Sequence, residues 1–182
     1  MKGGPPKILW WRRSAPGMFY FIVILIGSGA SPTLAAENRL QIQGEAERYH
    51  AVFHVENIVL YTPRKLSYSE ILSAEYNCLI VCTYLIHAPE LYYRSTWKSE
   101  IEETGASEGS ADTFVAKLPK SVDSGDTLEL EWAKVPGLTI TFNHQLLGTF
   151  GDATIFQAVF NTFLGPTAPS GMAVELLGQA PG

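Results

Sequence analysis

Arg48, Glu56 and the histidines His50, His54 and His87 are the residues whose types and spacing could do chemistry in an otherwise apolar region. Arg48 presents a planar fork that matches a carboxylate and is weakly enough hydrated to tolerate partial burial. It reads either as the anchor for an anionic head group or as half of an ion pair with Glu56. Along one extended strand those two stand ~26 Å apart, so they meet only across a bend. His50 and His54 share a strand face at ~13 Å and cannot chelate one ion unaided, so no metal is expected. Cys78 and Cys82 lie in a run of β-forming residues, Asn77 to Ile86, also ~13 Å apart, too far for a disulfide. They read as two small core residues on one strand face. Asp, Glu and Ser form no triad and no phosphate-binding glycine loop, so no cofactor is implied.

The elements that must position these residues follow from periodicity and punctuation. Leu40 to Gln43 is a short strand stopped at Gly44. Arg48 to Tyr61 alternates as a second strand, with Tyr49, Ala51, Phe53, Val55, Val59 and Tyr61 expected in the core and Arg48, His50, His54 and Glu56 on the polar side, until Ile58 and Leu60 turn that side apolar. A short helix or turn over Ser67 to Ala74 precedes the cysteine strand, which runs to His87. Pro89 opens a helix with the stripe Tyr93, Trp97, Ile101, while Glu100, Glu102 and Glu103 solvate its end. Thr104 to Ser110 reads as a mobile loop, and Asp112 as the cap of a short helix carrying Phe114, Val115 and Leu118. Thr127 to Ala133 and Leu138 to Asn143 form a hairpin, and Gln145 to Phe150 a further strand. Asp152 caps the best helix, with Ile155, Phe156, Val159, Phe160 and Phe163 on its apolar face and Gly165-Pro166 at its end. A last helical turn runs through Ala173 to Leu177. The order β-β-β-α-α-β-β-β-α describes an α+β fold in which helices gather on one face of a mostly antiparallel sheet.

Composition fits one globular domain: 182 residues, 46% apolar and 17% charged. The net charge is -5, but four of the 13 basic residues precede residue 14, where there is no acidic one. Without them nine basic face 18 acidic residues, a net of -9. Phosphate-backbone binding is excluded as the main task, so nucleic acid is not a partner. The basic start, the apolar run Met18 to Ile26 and the small residues Thr33 and Ala35 read as a signal peptide over residues 1–35. Residues 36–182 then form the mature domain, periplasmic or secreted, and the apolar run is too short for a bilayer span.

Four stretches, in order, resemble the chalcone isomerase fold and its bacterial exported chalcone isomerase-like branch. They are Gly44-Glu-Ala-Glu-Arg48 leading to Val59-Leu-Tyr-Thr-Pro63, then Ser124-Gly-Asp-Thr-Leu128, then Leu147-Gly-Thr-Phe150, and finally Asn161-Thr-Phe-Leu-Gly165 followed by Leu176-Leu-Gly178. The resemblance implies an open-faced β-sandwich, a large antiparallel sheet with helices packed on one face and an apolar cleft between them. In the plant enzymes that cleft closes a flavanone ring, and in fatty-acid-binding members it holds an acyl chain. An arginine at its mouth receives the ligand's anionic oxygen, and Arg48 matches that arginine. Thr162 and Phe163 match a Thr-Met pair that lines the plant pocket, and Tyr92 and Tyr93 fall near the family's tyrosine. By spacing alone those aromatic residues read mostly as core.

The departures carry the functional expectation. Glu56 stands where the plant enzymes have a pocket threonine, and the lysine and asparagine that follow the family tyrosine have no counterparts, Arg94 and Lys98 being the nearest basic groups. The resemblance therefore implies a non-catalytic protein that binds a hydrophobic small molecule with an acidic or phenolic end, such as a fatty acid, through Arg48, Glu56, Tyr92, Tyr93, Thr162 and Phe163. The alternative is an intramolecular lyase or isomerase of an enone, with Tyr93 or Glu56 moving the proton.

Overall fold

The computed structural model describes residues 39–178; the expected leader lies outside them. Six strands pair in chain order as an antiparallel meander: β1 (Gln41–His50), β2 (Phe53–Thr62), β3 (Cys78–Tyr84), β4 (Thr127–Ala133), β5 (Gly137–Phe142) and β6 (Gln145–Phe150). Helices α1 (Tyr68–Leu72), α2 (Glu90–Glu103) and α3 (Glu108–Lys117) fall on either side of β3 in sequence, and α4 (Ala153–Leu164) and α5 (Met172–Leu177) follow β6. The architecture is α+β, an open antiparallel sheet with helices.

Strand alternation builds the core. Ile58, Leu60, Cys78, Ile80, Cys82, Leu128, Leu130, Trp132, Leu138 and Ile140 are all buried, as expected for a sheet with one covered face. Helix α4 supplies the facing layer because its apolar residues recur at helical spacing, with Ile155, Phe156, Val159, Phe160 and Phe163 buried. Trp132 stacks on Phe156 with centroids 4.4 Å apart and donates from Nε1 to the Ala74 carbonyl at 3.0 Å. Asp152 caps α4 by accepting from the Thr154 amide at 2.8 Å. Both cysteines are free and fully buried, and burial pushes the Cys78 thiol up to about 12.

The first two strands differ from expectation. The chain continues extended through Gly44 to His50, turns at Ala51 and Val52, and returns as β2. Ala51 takes a left-handed φ of 55°, without the glycine or asparagine that advertises such a turn. The core face is also reversed: Ala46, Glu56, Ile58, Leu60 and Thr62 are buried, while Tyr49 and Phe53 are exposed. Gly44 is needed for a close approach, since a Cβ there would lie 2.3 Å from the Leu176 carbonyl oxygen of α5.

One helix start also moves. The expected loop is shorter, because Ser107 rather than Asp112 caps α3 by accepting from the Ser110 amide at 3.2 Å. Asp112 sits within α3 and pairs with Lys98 at 2.6 Å.

Candidate functional site

The turn at Ala51 sets the site. By folding β1 onto β2 it makes Arg48 and Glu56 register partners, on the face that enters the core. The Arg48 Nε stands 3.3 Å from a Glu56 oxygen, and Nη1 donates to both oxygens of Glu100 on α2 at 3.2 Å. The Arg48 side chain keeps 13% of its surface and Glu56 4%. Phe163 covers a face of the guanidinium, its ring centre 5.2 Å from Cζ, within cation–π range. A bend and not a single strand joins the pair, so Arg48 is already ion-paired within the chain.

Helix α2 forms the opposite wall. Tyr93 and Trp97 are buried on its inner stripe, and Tyr92, Thr96 and Glu100, again four apart, run beside them along the cleft. Glu100 therefore turns inward to Arg48, where a solvated helix end was expected. Its signal in the sequence was the four-residue spacing from Tyr92 and Thr96. The Tyr93 hydroxyl lies 3.0 Å from that of Tyr84 on β3, both buried.

Between hairpin, β3 and α2 lies a cleft of about 400 Å³, a size within the ligand-pocket range. Its walls are mostly apolar and aromatic: Tyr49, Phe53, Val55, Ile86, Ala88 and Trp97, with Pro169 at one edge. Arg48, Glu56, Glu100, Tyr84 and Tyr93 make one polar corner, and His50, Tyr92 and Thr96 add polar atoms elsewhere on the lining.

Four of the six residues named from sequence, Arg48, Glu56, Tyr92 and Tyr93, line this cleft. Thr162 and Phe163 do not. Thr162 is buried within α4, its hydroxyl donating to the Val159 carbonyl at 2.8 Å, and Phe163 packs behind Arg48 and edge-on to Trp97 at 5.8 Å. Tyr84 and Glu100 were missed. Tyr84 ends the strand that the cysteines made look like uniform core.

The histidines are dispersed. His50 meets the Tyr92 hydroxyl at 3.2 Å on the cleft rim, His54 stacks on Tyr49 at 5.0 Å, and His87 meets Asp123 at 2.7 Å. Among the described residues no three His, Cys, Asp or Glu side chains gather to hold a metal.

Protonation states follow from burial and neighbours. Burial opposes the charge on Arg48, but Glu56 and Glu100 outweigh it and hold the pKa above the usual arginine value. Burial raises the Glu56 pKa, against the pull of Arg48 and of a hydrogen bond from the Cys82 thiol. Burial likewise raises both Tyr84 and Tyr93, which stay protonated as hydrogen-bond donors.

Fold and site together define a class: an α+β protein with one antiparallel sheet, helices on its covered face, and a ligand-sized apolar cleft with one polar corner. The chain belongs to the chalcone isomerase-like family, whose sequence profile matches residues 30–178. Among solved structures it is similar to the crystal structure of a fatty-acid binding protein of Arabidopsis thaliana. The TM-score is 0.62 at 13% identity, over 76% of this chain and 86% of that one, a likeness of fold. No curated protein matches the chain.

Proposed function

We propose that this is an exported, non-catalytic binding protein for a hydrophobic small molecule, an acyl chain with one polar end. The chain lies along Phe53, Val55, Ile86 and Trp97, and the polar end meets Arg48, Tyr84 and Tyr93. The observation that carries this reading is the cleft itself, mostly apolar in its lining and with Arg48, Glu56, Glu100, Tyr84 and Tyr93 gathered at one corner. The Arabidopsis protein of similar fold, named for fatty-acid binding, supports the ligand class. The basic, apolar and small-residue succession at the N terminus supports export.

Native mass spectrometry of the purified protein, with lipid extraction, tests the reading. A bound species of acyl-chain mass, and a rise in melting temperature on adding it back, are the expected results. An apo spectrum with no thermal shift from any acyl compound overturns it. Cell fractionation tests export separately.

A second reading, proton-transfer catalysis on an enone, is favoured by one observation, a buried Glu56 with a raised pKa at the cleft's polar corner. Turnover of chalcones or simple enones, abolished by Glu56→Gln, would establish it.

A further inference from the structure

Resting on the binding role proposed above, we propose that the cleft selects an uncharged polar end, such as an ester, aldehyde, amide or alcohol, over a free carboxylate. Two carboxylates of the chain already face the single guanidinium. Nη1 of Arg48 is held by both oxygens of Glu100, and Nε stands at ion-pair distance from Glu56. With both acids ionised the corner carries a net negative charge, and with Glu56 protonated it is neutral.

The remaining groups around Arg48 do not change that sign. Cys82 and Tyr84 approach from β3, Tyr93 from α2, and Phe163 covers a face from α4. His50, the other basic side chain lining the cleft, sits at the rim against Tyr92. An incoming carboxylate would become a further anion on a guanidinium already shared. Repulsion between like charges in a partly desolvated site disfavours it.

The same corner does offer hydrogen-bond donors. Arg48 Nη2 is buried and has no acceptor. The Tyr84 and Tyr93 hydroxyls share one hydrogen bond, so one phenolic proton remains for an acceptor beyond the pair. Unused donors in a corner without net positive charge match a neutral carbonyl or hydroxyl oxygen. A buried donor left without a partner is costly, so a ligand oxygen that fills it gains affinity, and the two carboxylates around Arg48 decide for the neutral oxygen over the anionic one.

The test is displacement of Nile red from the protein at pH 8 by lauric acid, methyl laurate and 1-dodecanol, on the wild type and on Glu100→Gln. The expected result is that the ester and the alcohol bind at least tenfold tighter than the acid. Removing the Glu100 charge should narrow that gap to threefold or less. Glu100 is partly exposed, and a melting curve verifies that the variant folds. If all three bind and the acid equals or leads the others in the wild type, Glu100 yields its place to a ligand carboxylate and the inference is overturned. It is likewise overturned if the gap is unchanged in Glu100→Gln. If none of the three binds, the apolar-ligand reading itself fails and this inference falls with it.

Discussion

Arg48 and Glu56 are partners across the first hairpin, Nε to carboxylate 3.3 Å, both nearly sealed from water. Removing one member of such a pair leaves the other charge buried alone, at a cost of about 3–5 kcal/mol. Arg48→Met should therefore lower the unfolding free energy by an amount of that order in urea titration. Replacing both, Arg48→Met with Glu56→Leu, should recover most of the loss, because a well-packed apolar pair avoids desolvating two ions. A double variant as unstable as the single one would show that the corner depends on something other than its charges.

The raised pKa of Glu56 gives a pH dependence with a definite sign. A carboxyl whose pKa is higher folded than unfolded binds its proton more tightly in the native state. Its favourable contribution is complete below the unfolded value of about 4.3 and is lost as pH climbs through the folded value. Glu56→Gln cannot ionise. The variant should gain stability relative to the wild type between pH 4 and pH 8, measured by urea unfolding at each pH. A wild type that gains on the variant over that range would contradict the shift.

How much of this was legible in the sequence depended on which signals were local. Helix α4 could be read because Asp152, a 3.6-residue apolar period and Gly165 all agree, and the structure shows each of them in place. The stripe Tyr93, Trp97, Ile101 was equally plain. The hairpin between β1 and β2 was not, because its turn at Ala51 and Val52 has none of the usual turn residues and the alternation runs through it. Without that turn the core face reads the wrong way round, and the Arg48–Glu56 ion pair, one of two readings of Arg48, lacks the bend that brings its members together. Thr162 and Phe163 were assigned to the cleft by resemblance, but in this chain they belong to the packing of α4 behind Arg48. Glu100 looked like one of three glutamates at a helix end, and only the position of Arg48 across the cleft separates it from Glu102 and Glu103.

The Tyr84–Tyr93 pair should respond to deletion of a single oxygen. Tyr93→Phe preserves the ring that packs edge-on against Tyr84, centroids 5.6 Å apart, and removes only the hydroxyl. The buried Tyr84 hydroxyl then lacks its partner, which costs ~1–3 kcal/mol. Because the two groups share one bond, Tyr84→Phe with Tyr93→Phe should cost less than the two singles added, by ~0.5–3 kcal/mol in a double-mutant cycle. Simple additivity would mean that the hydroxyls do not interact in solution.

Gly44 ties the hairpin that carries Arg48 to the C-terminal helix. Helix α5 ends with its carbonyls against this residue, and a methyl group there would stand 2.3 Å from the Leu176 oxygen and 2.4 Å from the Glu175 oxygen. Both obstacles are backbone, which cannot rotate aside as a long side chain does, so either β1 or α5 must shift. Gly44→Ala should cost at least ~1–3 kcal/mol, the usual range for overpacking. Gly109 lies within α3 with open space where a Cβ would go. Gly109→Ala should be neutral or stabilise by up to ~1 kcal/mol through helix propensity. Parallel thermal melts of the two variants make the comparison. Equal melting temperatures would mean that α5 does not press on the strand as closely as its carbonyls indicate.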